Sequence, residues 1–373
     1  MDNPKKINCL FFLFITICYL NTPLFAEEIT LRMLVWEPYL ASQRIQQSFI
    51  KLVKEKFNVE LKLDVKYVSS DDVFYKALRD NTADAVSLSH STPKDKRFQL
   101  IKLNLALPLD LSLIPNYTNV IKKLREEDYC RENGQLYCVP MARGPYGLAY
   151  NTKYFDHPPD SWKILWDPKY KNKYTLGRDQ YEQNVYNTAL AMGYSVKDIS
   201  NYKKLNTQKF QKKLAQLAIN AHSLWVGVDK AKDLKGLYLA VSWGTALPEL
   251  KTMGELWEMA QPKEGTTAWL DNFMLNAFLE KKPTHKRIAI EWLNYITSNE
   301  YQQYIVRGMG AEPVTTNVKN VLTNEEINRL NLNASSAFEN KYILWPILNK
   351  TDRKGLKRLW DKALMEREKS LQQ

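Results

Sequence analysis

The chain has 373 residues, with 53 Lys or Arg against 41 Asp or Glu, so its formal charge at neutral pH is +12. This length is too great for one compact core and favours two domains. Hydrophobic residues make up 45% and aromatic residues 12%, which excludes disorder as the main state. Only 13 glycines are present, which argues against glycine-rich phosphate loops and collagen-like repeats.

The first 26 residues have the pattern of a cleaved secretory signal. Lys5 and Lys6 form a basic start, an apolar run extends from Leu10 to Leu20, and Ala26 precedes two glutamates. The apolar run has 11 residues, whereas a membrane span needs roughly 20. We therefore expect cleavage after Ala26 and an exported, periplasmic protein.

The elements that follow alternate between strands and helices. An apolar run at 29–36 predicts a buried strand, and an apolar stripe at 45–53 predicts a helix. Strict alternation of apolar and charged residues predicts a strand at 59–67, and a short helix at 71–79 leads to a strand at 83–88. This order is typical of an α/β fold in which helices cover a mostly parallel sheet.

Two cysteines of the exported part, Cys130 and Cys138, flank Asn133-Gly134. Asn-Gly is a strong signal for a tight turn between two strands. In an exported protein this arrangement favours one disulfide, and two free buried thiols are the alternative. We expect no metal site and no cofactor, because the four histidines lack zinc-like spacing.

The same alternation returns in the second half of the chain. The predicted elements are a helix at 210–218, a strand at 237–241, a helix at 286–296 and a closing amphipathic helix from about 354. Thr297 and Glu300 form a capping-box pattern that predicts the start of one further helix.

Aromatic and acidic residues recur where predicted strands end. These residues are Trp36 and Tyr39 after the first strand, Ser89 after the third, Trp243 after the strand at 237–241, and Trp269 with Asp271 after 265–267. Ligands of open α/β sheets bind outside the carboxyl ends of the strands. Ring faces and carboxylates suit an organic cation, although each tryptophan taken singly could equally be core packing.

Longer motifs accompany these residues. They are Trp36-Glu37-Pro38-Tyr39, Tyr137-Cys138-Val139-Pro140, Pro159-Asp160-Ser161-Trp162 with Leu165-Trp166-Asp167-Pro168-Lys169-Tyr170-Lys171, Val241-Ser242-Trp243-Gly244, Pro262-Lys263-Glu264-Gly265 and Trp269-Leu270-Asp271. With them, the chain after residue 26 resembles the periplasmic solute-binding proteins of bacterial spermidine/putrescine uptake systems. The resemblance implies two α/β lobes that close on a ligand. It places 27–143 with about 271–312 in the first lobe, and 144–270 with about 313–373 in the second.

The resemblance also implies the roles of the site residues. Trp36, Tyr39, Trp243 and Trp269 would form aromatic walls, Ser89 would line the pocket, and Asp271 would bind one ammonium group. Asp179 and Glu182 would hold the far amines, and another register would put Gln183 in the place of Glu182. Three departures from the family pattern are Ser91 in place of a tyrosine, Pro346 after Trp345 in place of a glutamine, and Arg178 beside Asp179.

Other classes of function are disfavoured. The sequence has no Gly-x-Ser-x-Gly, no His-Glu-x-x-His and no Walker loop, so we expect no enzyme. Its basic residues are dispersed, and export removes nucleic acid as a partner. We expect a monomer that binds a di- or polyamine and delivers it to the inner-membrane permease of an ABC importer. The alternative is a sensor adaptor for a transmembrane signalling receptor.

Overall fold

A computed structural model describes the chain in several stretches, namely residues 27–36, 39–68, 70–330, 332–333 and 342–372. The predicted signal sequence at 1–26 lies outside these residues. Within the described stretches, no helix combines the length and the apolar character that a membrane span requires.

The strands are numbered in chain order. They are β1 (Glu28–Trp36), β2 (Glu60–Val68), β3 (Ala85–Ser89), β4 (Arg131–Glu132), β5 (Gln135–Leu136), β6 (Cys138–Pro145), β7 (Gly147–Asn151), β8 (Tyr174–Gly177), β9 (Ser223–Trp225), β10 (Leu239–Ser242), β11 (Trp257–Met259), β12 (Thr267–Leu275) and β13 (Ile343–Leu344).

The helices are numbered in the same way. They are α1 (Gln43–Phe57), α2 (Asp71–Arg79), α3 (Lys122–Glu126), α4 (Tyr181–Ala191), α5 (Tyr202–Leu205), α6 (Gln208–Asn220), α7 (Ala231–Leu234), α8 (Leu247–Thr252), α9 (Pro283–Ile296), α10 (Asn299–Gly308), α11 (Asn324–Leu330) and α12 (Lys350–Leu371).

The two main sheets have the same arrangement of parallel and antiparallel strands. The first has the order β2-β1-β3-β12-β13, and β6 also pairs with β12. The second has the order β9-β8-β10-β7-β11. In each sheet three neighbouring strands are parallel, β2-β1-β3 and β9-β8-β10, and the next strand, β12 or β7, is antiparallel to them. The predicted α/β class with mostly parallel sheets is confirmed.

Each antiparallel strand belongs to a segment that crosses between the sheets. β6 of the first sheet continues through Tyr146 into β7 of the second, and β11 of the second leads through residues 260–266 into β12 of the first. A strand that arrives from the opposite sheet enters at the edge where the parallel strands end, so it runs against them. Sequence periodicity does not reveal this direction.

Two large hydrophobic cores define two lobes. The first core takes its buried side chains from residues 29–142 and 269–332, and the second takes them mainly from 146–260 and 348–363. The helices α4, α6 and α12 pack together in the second core, with Trp360 of α12 almost fully buried. Trp243 and Trp345 pack against both cores, so the two lobes meet around them, and we call this junction the cleft.

The lobe boundaries in the structure differ from the expected ones at two places. Residues 313–373 were assigned to the second lobe, but Val314, Val318 and Leu330 pack in the first core. The return to the first lobe was expected at about 271, and β12 joins the first sheet from Thr267. An apolar pattern marks a residue as buried without specifying which of two cores receives it.

Most predicted elements are confirmed to within a few residues. The helix at 71–79 has the predicted bounds, and the alternating segment at 59–67 forms β2 one residue later. The capping-box prediction at Thr297 is wrong by one position. Ser298 caps α10, and its hydroxyl accepts the backbone N–H of Tyr301 at 3.3 Å.

The predicted turn and disulfide are also confirmed. β4 and β5 form an antiparallel hairpin around Asn133 and Gly134, whose φ angles are +50° and +78°. Two successive residues in the left-handed region are typical of the tight turn that Asn-Gly favours. Cys130 and Cys138 are disulfide-bonded, with their Cα atoms 5.7 Å apart.

The Ser161-Trp162 motif has a structural role. The Trp162 indole is buried and donates a hydrogen bond to the carbonyl of Gly265 at 2.9 Å. The carboxylate of Glu264 accepts hydrogen bonds from the Ser161 hydroxyl and from the backbone N–H of Trp162. These bonds fix the segment that leads into β12, so the motif positions the strand that carries Trp269 and Asp271.

Candidate functional site

The first-lobe side of the cleft lies at the carboxyl ends of β1 and β3. Asp271 pairs in register with Ser89, the last residue of β3. The sequence placed Trp269 and Asp271 after a strand, whereas both lie near the start of β12. Because β12 is antiparallel to β3, its beginning lies beside the end of β3, and the two residues reach the predicted edge from the other direction.

Asp271 is a buried acid at this edge. Its side chain accepts a hydrogen bond from the Tyr39 hydroxyl at 2.8 Å, and the residue is only 9% exposed. Burial raises the pKa of Asp271 to about 7; the hydrogen bond from Tyr39 opposes this rise, and the carboxylate of Asp71 adds to it. Within the described residues no cationic side chain acts on the ionised form of Asp271, and a bound ammonium group would supply that partner.

Two predicted site tryptophans belong to the sheet that carries Asp271, Trp36 at the end of β1 and Trp269 in β12. The half-buried Trp36 packs edge-to-face on Phe74 of α2, with ring centroids 4.8 Å apart. Trp269 covers Gly144, where an added Cβ would lie 2.7 Å from the indole ring. A glycine is required at 144 because any side chain would displace the ring.

Trp243, the predicted second-lobe wall, packs on Tyr146, which is fully buried in the second core. Their ring centroids lie 4.7 Å apart, and the Trp243 ring is also 5.9 Å from that of Trp345. Asp229 fixes the backbone at Trp243. It accepts hydrogen bonds from the Ser242 hydroxyl at 2.5 Å and from the backbone N–H of Trp243 at 3.1 Å, and its pKa is raised by burial.

Trp345 and His90 connect the two walls. The imidazole Nε2 of His90 lies 2.9 Å from the carbonyl oxygen of Trp345, and burial lowers the pKa of His90. The neutral imidazole can thus donate its Nε2–H to this carbonyl. Ser91 lies beside Ser89, with the two hydroxyl oxygens 3.4 Å apart. At the position where the family pattern has a tyrosine, Ser89 therefore has a small polar neighbour.

Glu182 extends from the first turn of α4 in the second lobe towards the first. It accepts a hydrogen bond from the Tyr181 hydroxyl at 2.7 Å. Burial raises the pKa of Glu182; Tyr181, Arg353 and Arg97 act against this rise, and Asp71 adds to it. Of the groups that act on this pKa, Asp71 and Arg97 belong to the first lobe.

Asp179 occupies a different position from Asp271 and Glu182. It is exposed, and its carboxylate accepts the backbone N–H of Gly227 at 3.0 Å and the side-chain amide of Gln180 at 3.0 Å. Trp243 donates its indole N–H to the carbonyl of the same Gly227 at 3.4 Å. Asp179 thus anchors the loop that carries one edge of the Trp243 wall. The adjacent Arg178 pairs with Glu368 on the surface at 3.0 Å.

Sequence reasoning missed Asp71, Asp229 and Trp345 as members of this region. Asp71 lies in the first turn of α2, where an acid is ordinary because it interacts well with the helix dipole. Its carboxylate accepts the Thr92 hydroxyl at 2.9 Å, and burial raises its pKa. Asp229 stands in a loop without a recognisable motif. Only Trp345 could have been found from the sequence, because Pro346, which follows it, stands where the family pattern has a glutamine near the pocket.

The donor set of the cleft fits an organic cation. It consists of aromatic faces, hydroxyl groups and carboxylates whose pKa values are raised by burial. In the part of the chain that the structure describes, no three His, Cys, Asp or Glu side chains are grouped to hold a metal ion. The arrangement can exclude water around a ligand and compensate positive charge.

A family model for bacterial extracellular solute-binding proteins matches residues 80–335. That segment is more than half of the chain. The chain belongs to this family. The resemblance inferred from the sequence motifs is confirmed, and the expectation of a binding protein in place of an enzyme agrees with this membership.

Individual relatives agree with the family assignment. A spermidine/putrescine-binding periplasmic protein of Salmonella typhimurium is 23% identical over 223 residues, which are 59% of this chain and 61% of the relative. The chain thus aligns with less than two thirds of that curated relative.

Two solved structures illustrate the likeness in fold. One is a spermidine/putrescine ABC transporter substrate-binding protein of Streptococcus pneumoniae, with a TM-score of 0.72, 17% identity, and coverage of 91% of this chain and 99% of that one. The other is the PBP MotA from A. tumefaciens B6 in complex with glucopine, with a TM-score of 0.61, 13% identity, and coverage of 91% and 100%. At these identities the two structures establish the two-lobed fold alone.

Proposed function

We propose that this protein is a periplasmic solute-binding protein that captures a di- or polyamine between its lobes and delivers it to an ABC importer. The observation that carries the proposal is the buried Asp271 carboxylate, which accepts the Tyr39 hydroxyl at 2.8 Å and lies two residues after Trp269 in β12. A buried carboxylate without a cation is costly, and an ammonium group would offset that cost.

The aromatic groups of the two lobes support the same ligand class. Trp243 directly follows β10 of the second sheet, while Trp36 ends β1 and Trp269 lies in β12 of the first sheet. An ammonium group over an aromatic ring gains about 0.5–2 kcal/mol, depending on how far it is desolvated. The methylene segments of a polyamine would pack on the same ring faces. The name of the Salmonella typhimurium relative points to this ligand class as well.

The role of each site residue is part of the proposal. Asp271 would bind one terminal ammonium group, and Glu182 would face another through its position at the cleft. The interaction of Glu182 with Asp71 favours Glu182 over Gln183 for this role. Asp179 would act by holding the Gly227 loop behind Trp243. We further propose that the protein acts as a monomer.

Calorimetric titration of the protein lacking residues 1–26 tests the ligand class. The ligands are putrescine, cadaverine, spermidine, norspermidine and spermine. We expect at least one of them to bind with a Kd near or below about 1 μM, which corresponds to about −8 kcal/mol. If none binds in this range, the proposal is refuted.

Two substitutions localise the binding. Asp271→Asn should weaken the amine that binds best by about 100-fold or more, because it removes one partner of a buried charge pair. The matched control is Asp128→Asn, at an exposed first-lobe carboxylate that pairs only with surface groups such as Lys94. The control should leave the Kd unchanged. Equal effects of the two variants would argue against a cleft site.

A further inference from the structure

One ion pair connects the two lobes directly. Arg353 Nη2 lies 2.5 Å from Asp95 Oδ2. Asp95 follows β3 of the first lobe, and Arg353 lies near the start of α12 in the second. The side chain of Asp95 is only 2% exposed and that of Arg353 is 18% exposed. Solvent therefore screens this contact, which we call the interlobe ion pair, less than it screens a surface salt bridge.

The first lobe fixes Asp95 through the backbone of its loop. The carbonyl of Asp95 accepts the backbone N–H of Phe98 at 2.9 Å and that of Gln99 at 2.8 Å, and its own N–H donates to the carbonyl of Thr92 at 3.2 Å. Phe98 is buried in the first core. Asp95 thus moves with the first lobe.

The second lobe fixes Arg353 in a similar way. The side chain of its neighbour Asp352 accepts the backbone N–H of Tyr202 at 2.9 Å. The ring of Tyr202 packs so closely on Gly355 that no room is left for a Cβ. Leu356, in the same turn of α12, is buried in the second core. Arg353 thus moves with the second lobe.

Arg97 gives Asp95 a second cationic partner that belongs to the first lobe. Its Nη2 lies 2.9 Å from Asp95 Oδ2, and its Nε lies 3.2 Å from both carboxylate oxygens. Its backbone N–H also donates to Asp95 Oδ1 at 2.9 Å. When Arg353 moves away, Asp95 keeps a paired charge, so the large cost of a buried unpaired carboxylate does not arise. The interlobe ion pair can therefore break and form again.

The interlobe ion pair lies outside the segments that connect the lobes. Of the residues that the structure describes, three segments pass from one lobe to the other, namely Tyr146, residues 260–266 and residues 345–348. A contact outside these connections is lost when the lobes separate. It stabilises only the arrangement in which the lobes touch.

We propose that Asp95 and Arg353 form an interlobe latch, a pair of positioning residues that raises the affinity for the ligand by stabilising the arrangement in which the lobes touch. This inference rests on the proposed function, because its readout is the affinity for an amine. The apparent Kd equals the intrinsic Kd divided by the fraction of protein in the binding-competent state. The latch increases this fraction.

Calorimetry of Arg353→Gln with putrescine and with spermidine tests the proposal. The substitution removes the latch while Arg97 still pairs with Asp95. We expect both Kd values to rise by the same factor, roughly 5- to 30-fold, as the loss of a partly screened charged hydrogen bond would cause. Electrostatic attraction alone predicts the opposite direction, because removing a cation favours the binding of a cation.

The titrations also distinguish a latch from a general role in stability. A variant that is partly unfolded binds with a lower stoichiometry, whereas its folded fraction keeps the Kd of the wild type. Loss of the latch should raise the Kd at unchanged stoichiometry and increase the dissociation rate, which stopped-flow tryptophan fluorescence measures. A lower stoichiometry with an unchanged Kd would overturn the proposal.

Arg358→Gln is the matched control. Arg358 is exposed on the same helix, so its substitution changes the charge of the protein equally without touching the latch. We expect its Kd values to stay within about twofold of the wild type. The proposal is overturned if Arg353→Gln binds as tightly as the wild type, if its Kd rises no more than that of Arg358→Gln, or if the Kd of only one amine rises.

A double-mutant cycle assigns the effect to the pair. Asp95→Ala breaks the same contact from the first lobe, so Arg353→Gln should raise the Kd by no more than about twofold in that background. An undiminished effect of Arg353→Gln in the absence of the Asp95 carboxylate would overturn the proposal.

Arg353→Met covers the case in which Arg353→Gln fails to fold. Methionine keeps a long unbranched side chain on the helix and removes the guanidinium. We expect the same rise of both Kd values, and an unchanged or lower Kd would then overturn the proposal.

The same titrations separate this inference from the proposed function. If the wild-type protein binds neither amine, the proposed function fails and the inference fails with it. If the wild-type protein binds an amine and Arg353→Gln binds it equally well, the inference alone fails.

Discussion

Replacing Asp271 with asparagine should stabilise the unliganded protein while it weakens amine binding. Burial raises the pKa of Asp271 from 3.8 to about 7. A shift of about three pH units at about 1.4 kcal/mol per unit corresponds to about 4 kcal/mol. An amide of the same shape avoids this cost, and its oxygen can still accept the hydrogen bond from Tyr39.

The sign of this effect depends on pH in a defined way. The raised pKa means that the folded state binds the Asp271 proton more tightly than the unfolded state does. The wild-type protein therefore loses stability as pH rises from about 4 to about 7, and the full cost remains above that range. The stabilisation by Asp271→Asn should be close to zero at pH 4 and largest at pH 7.5 and above.

Thermal unfolding at several pH values measures the difference. For a chain of this length we expect the midpoint of Asp271→Asn to exceed that of the wild type by about 2–8 °C at pH 7.5. Saturating amine should reverse the order, because ligand stabilises the variant that binds it. A midpoint difference that is negative at pH 7.5, or equal at pH 4 and pH 7.5, would refute the reasoning.

Asp84→Asn is the control for a paired buried acid. Asp84 is 1% exposed and binds the Arg32 guanidinium through both oxygens, at 2.7 and 3.0 Å. The amide leaves Arg32 without its charged partner, so we expect a destabilisation of about 1–3 kcal/mol. The two Asp-to-Asn changes should thus have opposite signs.

Three more predictions follow from the same contacts. Amine affinity should fall about tenfold per pH unit below pH 7, because Asp271 becomes protonated; titrations at pH 8, 7 and 6 measure this. Gly144→Ala should displace the Trp269 ring, since the new Cβ would lie 2.7 Å from it; we expect weaker binding and altered tryptophan fluorescence. Replacing both Cys130 and Cys138 with serine removes a cross-link between residues eight positions apart. This should cost about 2–3 kcal/mol in denaturant unfolding.

Each of these predictions has an outcome that contradicts it. If the amine affinity of Asp271→Asn falls with pH as steeply as that of the wild type, the proton that competes with the amine binds to another group. Unchanged fluorescence and affinity in Gly144→Ala would mean that the ring has room to move. Reductant that lowers the midpoint of the double serine variant as much as that of the wild type would exclude the disulfide as the source of the difference.

Local structure followed closely from the sequence. The apolar alternation of β2, the bounds of α2, and the Asn133-Gly134 turn with its disulfide were all predicted, because each depends on neighbours within about ten residues. The predicted strand ends indicated the aromatic residues, and the family resemblance supplied the two-lobed class. These features depend on residue type and short spacing, which a single chain displays directly.

The tertiary structure decided which of these residues meet. Asp271 contacts Tyr39 across 232 positions of the chain, and Arg353 binds Asp95 across 258. Such pairs form only because β12 runs against β3 and because α12 packs in the second lobe. The same packing buries Asp71 and Glu182 near the two arginines. A sequence states the charge of every side chain, but the charge of a cleft depends on which side chains the two lobes bring together.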